Sequence, residues 1–192
     1  YGPHTLQIAV GDLCHDLDPL LVQRKGRLIM LASEGTDPQT LAWVCQDYYM
    51  SRSFDAVPTL VRTLSQAYRD HPGLEQQLYL LVVQRGLDLS MVGNSQAIVR
   101  LARYSVVRDL FDPQARNTGY RVSLVEHDGS GVTPRLYSTT WRVVTGDVLL
   151  YAARPAAERI SEEAMARVAR RRGTAAEAAR SLALVLAGGL EL

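Results

Sequence analysis

Cysteine is scarce: Cys14 and Cys45 are the only two in 192 residues. That is too few for a disulfide scaffold, and with four scattered histidines it offers no ligand spacing for structural zinc. The scarcity fits a reducing, cytoplasmic setting. Excess charge is lacking as well. Lys plus Arg number 21 against 20 for Asp plus Glu, so no whole-molecule field draws nucleic acid or an anionic membrane, and neither is expected as a partner. The opening "YGPHTLQIAV" has no basic start and apolar run of a signal peptide, and no stretch approaches the ~18 apolar residues of a membrane span. There is no internal repeat and no break in composition. With 47% hydrophobic residues, one core-bearing domain over residues 1–192 is the expectation. Because the chain starts at Tyr1 and not at methionine, that domain reads as a piece excised from a longer protein.

What is present is mixed α and β patterning. "TLQIAVGD" and "GRLIMLAS" are short apolar runs bounded by Gly, Asp and Ser, the pattern of buried strands. "TDPQTLAWVCQDYYM" starts a helix: Asp37 caps it, Pro38 presets the first turn, and Leu41, Val44, Cys45 and Tyr48 share one face. A second helix follows from about Ala56 and ends at His71-Pro72-Gly73. The stretch "QLYLLVVQRGLDLSMVGNSQAIVRLARYSVV" holds three apolar runs separated by Arg85-Gly86 and Gly93-Asn94, which predicts consecutive antiparallel strands. More strands are predicted at "YRVSLVEH", "RLYSTTWRVV" and "DVLLYAA". A helix capped by Ser161, with Glu162 and Glu163 in its first turn, and an Ala/Leu-rich helix after the box "TAAE" complete the pattern.

Few residues carry obvious chemistry. Cys14, His15 and Asp16 are adjacent, so on an extended chain they alternate between faces and cannot form a triad. The arginines of "ARRRG" complement a helix dipole, and "DGSG" is a turn with a strand after it, where phosphate cradling would want a helix. Trp43, Tyr48, Tyr49 and Tyr68 recur at helical spacing and read as packing. The carboxylates near strand ends, Asp16, Asp18 and Glu34, are of more interest, because acids converging from neighbouring strands hold hard cations such as Mg²⁺ and Mn²⁺. Solvated loop carboxylates explain the spacing equally well.

The order of these pieces resembles a known family. "GRLIMLASEGTDP" is similar to the strand and aspartate-glycine turn (V-x-D-G-M-G-G) of the metal-dependent PPM, or type 2C (PP2C), protein phosphatases. The hairpin ending in Gly93-Asn94-Ser95-Gln96-Ala97 resembles their G-D-S-R-A-Y. "VVTGDVLLYAARPAAERISEE" and the helices after it resemble P-G-D-x-L-L-L-x-S-D-G, L-S-x-E-E and A-x-x-A-A-x-x-L. The likeness spans nearly the whole chain.

That resemblance implies an α+β fold, a four-layer α-β-β-α sandwich of two antiparallel sheets flanked by helix pairs, with helices 38–50 and 56–70 on one side and 162–172 and 175–187 on the other. It implies two metal ions between the sheets that activate water against a phosphoserine or phosphothreonine. The pocket residues depart from it. Asp18 stands where the family has an acid, Glu34 replaces the bridging aspartate ahead of Gly35, and Arg154 falls on the aspartate of S-D-G. The final D-N motif has no counterpart, and one sheet is expected to be a strand short. A guanidinium cannot ligate a metal and repels divalent cations. The expectation is therefore a degenerate pocket at Asp18, Glu34, Gly35 and Arg154, with no catalytic residue and no cofactor, in a pseudophosphatase that binds a protein partner such as a kinase or phosphoprotein. Arg154 is expected beside Glu34 or Asp18, and a homodimer through an exposed sheet edge is one form of partnership. The alternatives are a divergent phosphatase holding Mn²⁺ or Mg²⁺ on Asp18 and Glu34, and a phospho-ligand sensor gripping phosphate with Arg154.

Overall fold

The computed structural model describes residues 19–104, 106–114, 122–125, 134–170, 177 and 180–182. The expected first strand, the "CHD" triplet, Asp18, "DGSG" and most of the last helix lie outside these residues. The elements run α1 (Pro19–Lys25), β1 (Arg27–Ala32), α2 (Pro38–Met50), α3 (Ala56–Asp70), a 3-10 turn (Leu74–Gln76), β2 (Leu78–Arg85), β3 (Asp88–Gly93) and β4 (Ala97–Arg103). They continue with β5 (Val106–Phe111), β6 (Ser123–Val125), β7 (Leu136–Arg142), β8 (Val148–Ala153), α4 (Arg154–Ala157) and α5 (Glu162–Arg170). The strands form one sheet in the order β1-β2-β3-β7-β6 and another in the order β5-β4-β8, with every pairing antiparallel.

Side-chain alternation along the strands builds the layers, because successive residues face opposite sides of a sheet. On β2, Leu81 and Val83 join α2 and α3 in one apolar cluster, while Leu80 and Val82 join a second with Val99, Leu101 and Phe111 of the other sheet. On β4, Val99 and Leu101 face that same inter-sheet core, and Ile98 and Ala102 pack under α5 with Met165 and Val168. Three cores between four layers result, the architecture expected. Strands covered on both faces need apolar residues facing both sides, which is why β2 and β4 read as apolar runs, broken in β4 by Arg100, whose guanidinium is held by Asp109 and by the Ala157 and Ile160 carbonyls.

Local chemistry sets the helix ends. The Asp37 carboxylate accepts hydrogen bonds from the Gln39 and Thr40 amides, at 3.3 and 2.9 Å, to start α2, and the Ser161 hydroxyl accepts from the Ala164 amide at 3.1 Å to start α5. Tyr48, Tyr49 and Tyr68 are buried packing residues as anticipated. Cys45 is also buried and is not a free thiol. The expectation of a reducing setting drew on the scarcity of cysteine, and this finding weighs against it. No helix among the described residues is long and apolar enough to cross a membrane.

The segment read as consecutive antiparallel strands needs one correction. β2 and β3 do form a hairpin, but β3 and β4 do not pair: the chain crosses at Gly93-Asn94 from the larger sheet to the smaller. Gly93 is required there, since a Cβ would sit 2.5 Å from the Tyr79 carbonyl oxygen. The last apolar run is also two strands, β4 and β5, broken at Tyr104, whose φ is 57°.

Candidate functional site

The crossing at Gly93-Asn94 brings one end of each sheet together. Ala32 of β1 pairs with Leu78 of β2, and Gly93 of β3 with Leu80, at the end of the larger sheet. Ala97 of β4 pairs with Ala153 of β8, and Val99 with Phe111 of β5, at the end of the smaller. Residues 33–36, 94–96, 112 and 154 therefore share one end of the sandwich.

Glu34 and Gly35 are the exposed corner of a tight turn. The Thr36 amide and hydroxyl both donate to the Ser33 carbonyl, at 3.1 and 2.8 Å, and the Ser33 amide donates to Gln77 O at 2.7 Å. Glu34 has no hydrogen-bond or ion-pair partner among the described residues. Gly35 has no positive φ, and a Cβ would meet nothing within 4 Å. The glycine that matches the family's turn is thus not demanded by this turn's geometry.

Asn94, only 4% exposed, ties the crossing to the helical layer. Its amide nitrogen donates to Tyr68 Oη at 3.0 Å and to the Glu75 carbonyl at 2.9 Å, and its Oδ1 accepts from the Gln96 amide at 2.9 Å. Tyr68 in turn donates to the Leu78 carbonyl at 2.6 Å. Burial pushes the Tyr68 phenol well above its ordinary range, so it stays neutral and keeps that donation.

Arg154 stands where β8 ends. Its amide donates to Gln96 O at 2.7 Å, extending the β4–β8 pairing by one bond. Its side chain is only 12% exposed and is fully engaged. Nε donates to the Ser95 carbonyl at 3.0 Å, Nη2 to Asp112 Oδ1 at 2.6 Å, and Nη1 lies 3.7 Å from Glu158 Oε1. The expected neighbours of Arg154 are Glu34 or Asp18, and Asp18 lies outside the described residues. Arg154 and Glu34 share one end of the sandwich, but the arginine pairs with Asp112 and Glu158, not with Glu34. Asp112 escaped the sequence reading because β5 was not recognised as a separate strand. Once it is, "LFDPQ" shows an acid directly after a strand, the feature that drew attention to Glu34.

A pair of divalent cations needs several carboxylate oxygens converging on one point. Among the described residues no three His, Cys, Asp or Glu side chains come together in that way. Glu34 is exposed on its turn, Asp18 lies outside the described residues, and a guanidinium, a donor only, fills the end of β8. Among the described residues the donors do not converge as the metal centre that the resemblance implies would require.

No model of a known protein family matches the sequence, and no protein of curated function does. Solved structures match in shape, these two among them. One is PppA, described as a key regulatory component of T6SS in Pseudomonas aeruginosa, with a TM-score of 0.56 and 16% identity over 88% of this chain and 82% of that one. The other is the Mycobacterium tuberculosis serine/threonine phosphatase PstP/Ppp, with a TM-score of 0.54 and 16% identity over 84% of this chain and 83% of that one. The fold is PP2C-like. At that identity the likeness speaks for the fold alone. The PP2C-like sandwich thus carries, at the pocket end, a carboxylate turn with no partner among the described residues and an arginine locked to an aspartate.

Proposed function

We propose that this chain is a single PP2C-like domain that is catalytically inactive, a pseudophosphatase that acts by binding a protein. The observation that carries the reading is the Arg154–Asp112 pair at the end of β8. In the family that the chain resembles, this strand end bears a metal-ligating aspartate. Here a permanent cation occupies it and is neutralised from within the chain, so the site needs no metal to balance its charge. The description of PppA as a regulatory component agrees with a regulatory role. A kinase or a phosphoprotein is the partner class such a domain would meet, and an edge of the smaller sheet, β5 or β8, offers a route to a homodimer.

The phospho-ligand reading has less support. A phosphate would have to displace Asp112 and the Ser95 carbonyl from the guanidinium, and the bond to Asp112 is a short, charge-assisted one of 2.6 Å. The enzymatic reading would need Glu34 and Asp18 to gather metal beside that same cation. Turnover of an aryl phosphate and of a phosphothreonine peptide, assayed with added Mn²⁺ and with Mg²⁺, tests the proposal. No saturable hydrolysis is expected. Saturable hydrolysis that is lost in Glu34→Ala would overturn the proposal in favour of a divergent phosphatase.

A further inference from the structure

The large apolar side chains left exposed are unevenly placed. Among the described residues eight are exposed; Leu20 on α1 and Leu124 on β6 are two, and the other six, Met50, Phe54, Leu87, Tyr104, Val106 and Val144, between 45 and 87% exposed, lie at the end of the sandwich opposite Arg154. Topology puts them there: α2 finishes at Met50, β2 turns into β3 at Leu87, β4 into β5 at Tyr104, and Val144 follows β7.

Three contacts tie these loops into one surface. Arg85 Nη2 donates to the Phe54 carbonyl at 3.0 Å. The Val143 amide donates to the Leu87 carbonyl at 2.8 Å. Arg103 forks both oxygens of Asp147 at 2.7 Å, which pins the 144–147 turn to the end of β4. An apolar surface fixed in this way loses little conformational entropy when it is covered.

The charge left without a partner at this end is mostly positive. Asp47 is engaged by Arg62 at 2.9 Å, and Asp88 lies 3.8 Å from Arg142. Arg24, Arg27, Arg52 and Arg85 are exposed and have no carboxylate partner among the described residues, with Asp55 the exposed acid left among them. Arg24 lies over the Phe54 ring at 5.0 Å, and the Lys25 ammonium is 5.8 Å from the same ring. A second copy docked face to face about a twofold axis would set these arginines against one another.

We propose that this end of the sandwich is a docking surface for an acidic protein segment that carries large apolar side chains. Carboxylates of the segment meet Arg24, Arg27, Arg52 and Arg85, and its apolar groups cover Phe54, Met50 and Leu87. Of the side chains to be covered, Met50 and Leu87 are aliphatic and the Phe54 ring already has Arg24 over it, which favours a polypeptide over nucleic acid, whose bases call for open stacking platforms. The assignment stands apart from the state of the Arg154 pocket.

The test uses the full chain and a labelled short peptide of Glu alternating with Leu and Phe, read by fluorescence anisotropy. An all-Glu peptide, a short DNA duplex and phosphatidylserine vesicles serve as competitors. The mixed peptide should bind, and the double change Arg27→Glu with Arg52→Glu should weaken it by about tenfold or more. Neither side chain has a polar partner among the described residues, so the variant should fold, which a thermal melt verifies. The matched charge change at Arg167 and Arg170 on α5 should leave binding as it was. No binding, equal binding by the Arg27/Arg52 variant, or an all-Glu peptide that binds as well would overturn the proposal. Tighter binding of the duplex or the vesicles would also overturn it, and would name the other partner class.

Discussion

At the end of the sandwich where β8 finishes, arginine is turned inward. Arg154 is 12% exposed, its guanidinium is held by Asp112 and by the Ser95 carbonyl, and nothing further is needed to balance it. At the other end Arg24, Arg27, Arg52 and Arg85 are exposed beside Phe54 and Met50, and of the carboxylates nearby Asp47 and Asp88 already answer other cations, which leaves Asp55 alone against four arginines. The same residue type closes one end and leaves the other unsatisfied. Internally compensated charge marks a site that has stopped recruiting ions, whereas uncompensated charge set among apolar side chains marks a surface that has yet to meet its complement.

The comparison breaks most easily at the closed end. Asn94→Asp should cost the most, about 3 kcal/mol in urea unfolding at neutral pH, because an ionised carboxylate can donate neither to Tyr68 nor to the Glu75 carbonyl that it would face. An unchanged midpoint would show that the amide's two donations do not hold the sheet crossing. Arg154→Ala should cost about 2 kcal/mol by leaving Asp112, itself 14% exposed, without its cation. Adding Asp112→Asn to that variant should recover about 1 kcal/mol, since the orphaned charge disappears. A double variant less stable than the single would mean that the pair is not coupled as described.

Asp147 probes the open end. Hydrogen bonds from Arg103, foremost, hold its carboxyl below the usual carboxylate range. The folded value lies under the unfolded 3.8, so its stabilising contribution is present above that value and is lost as pH falls through the folded one. Asp147→Asn should therefore cost about 1–2 kcal/mol at neutral pH and almost nothing in acid. A cost that stays constant across the pH range would contradict the ion pair. The smallest effect belongs to Arg52→Glu, which should change stability by less than about 0.5 kcal/mol while still altering what the surface binds.

Much of the fold was legible because local chemistry and burial agreed. Asp37 and Pro38 announce α2 and Ser161 announces α5, while the apolar runs of β2 and β4 report strands covered on both faces. α1 was missed although Asp18-Pro19 repeats the Asp-Pro signal of α2, since Pro19–Lys25 is only seven residues, too short to show a helical apolar period, and packing against the neighbouring core holds its Leu21 and Val22. The break between β4 and β5 was missed because a tyrosine, not a glycine, adopts the left-handed conformation at Tyr104. That omission hid Asp112, and with it the partner of Arg154, 42 residues away in sequence. Glu34 and Arg154 could be placed at strand ends from pattern alone. Which charges would meet could not, since pairing depends on how the two sheets cross at Gly93-Asn94.

Calorimetric titration of the full chain with Mn²⁺ at neutral pH tests the central claim most directly. With Arg154 neutralised by Asp112 in place of a metal-ligating carboxylate, the account predicts no saturable heat up to millimolar metal. Saturable binding in the micromolar range, weakened by Glu34→Ala, would contradict it and would restore a metal centre to this end of the sandwich.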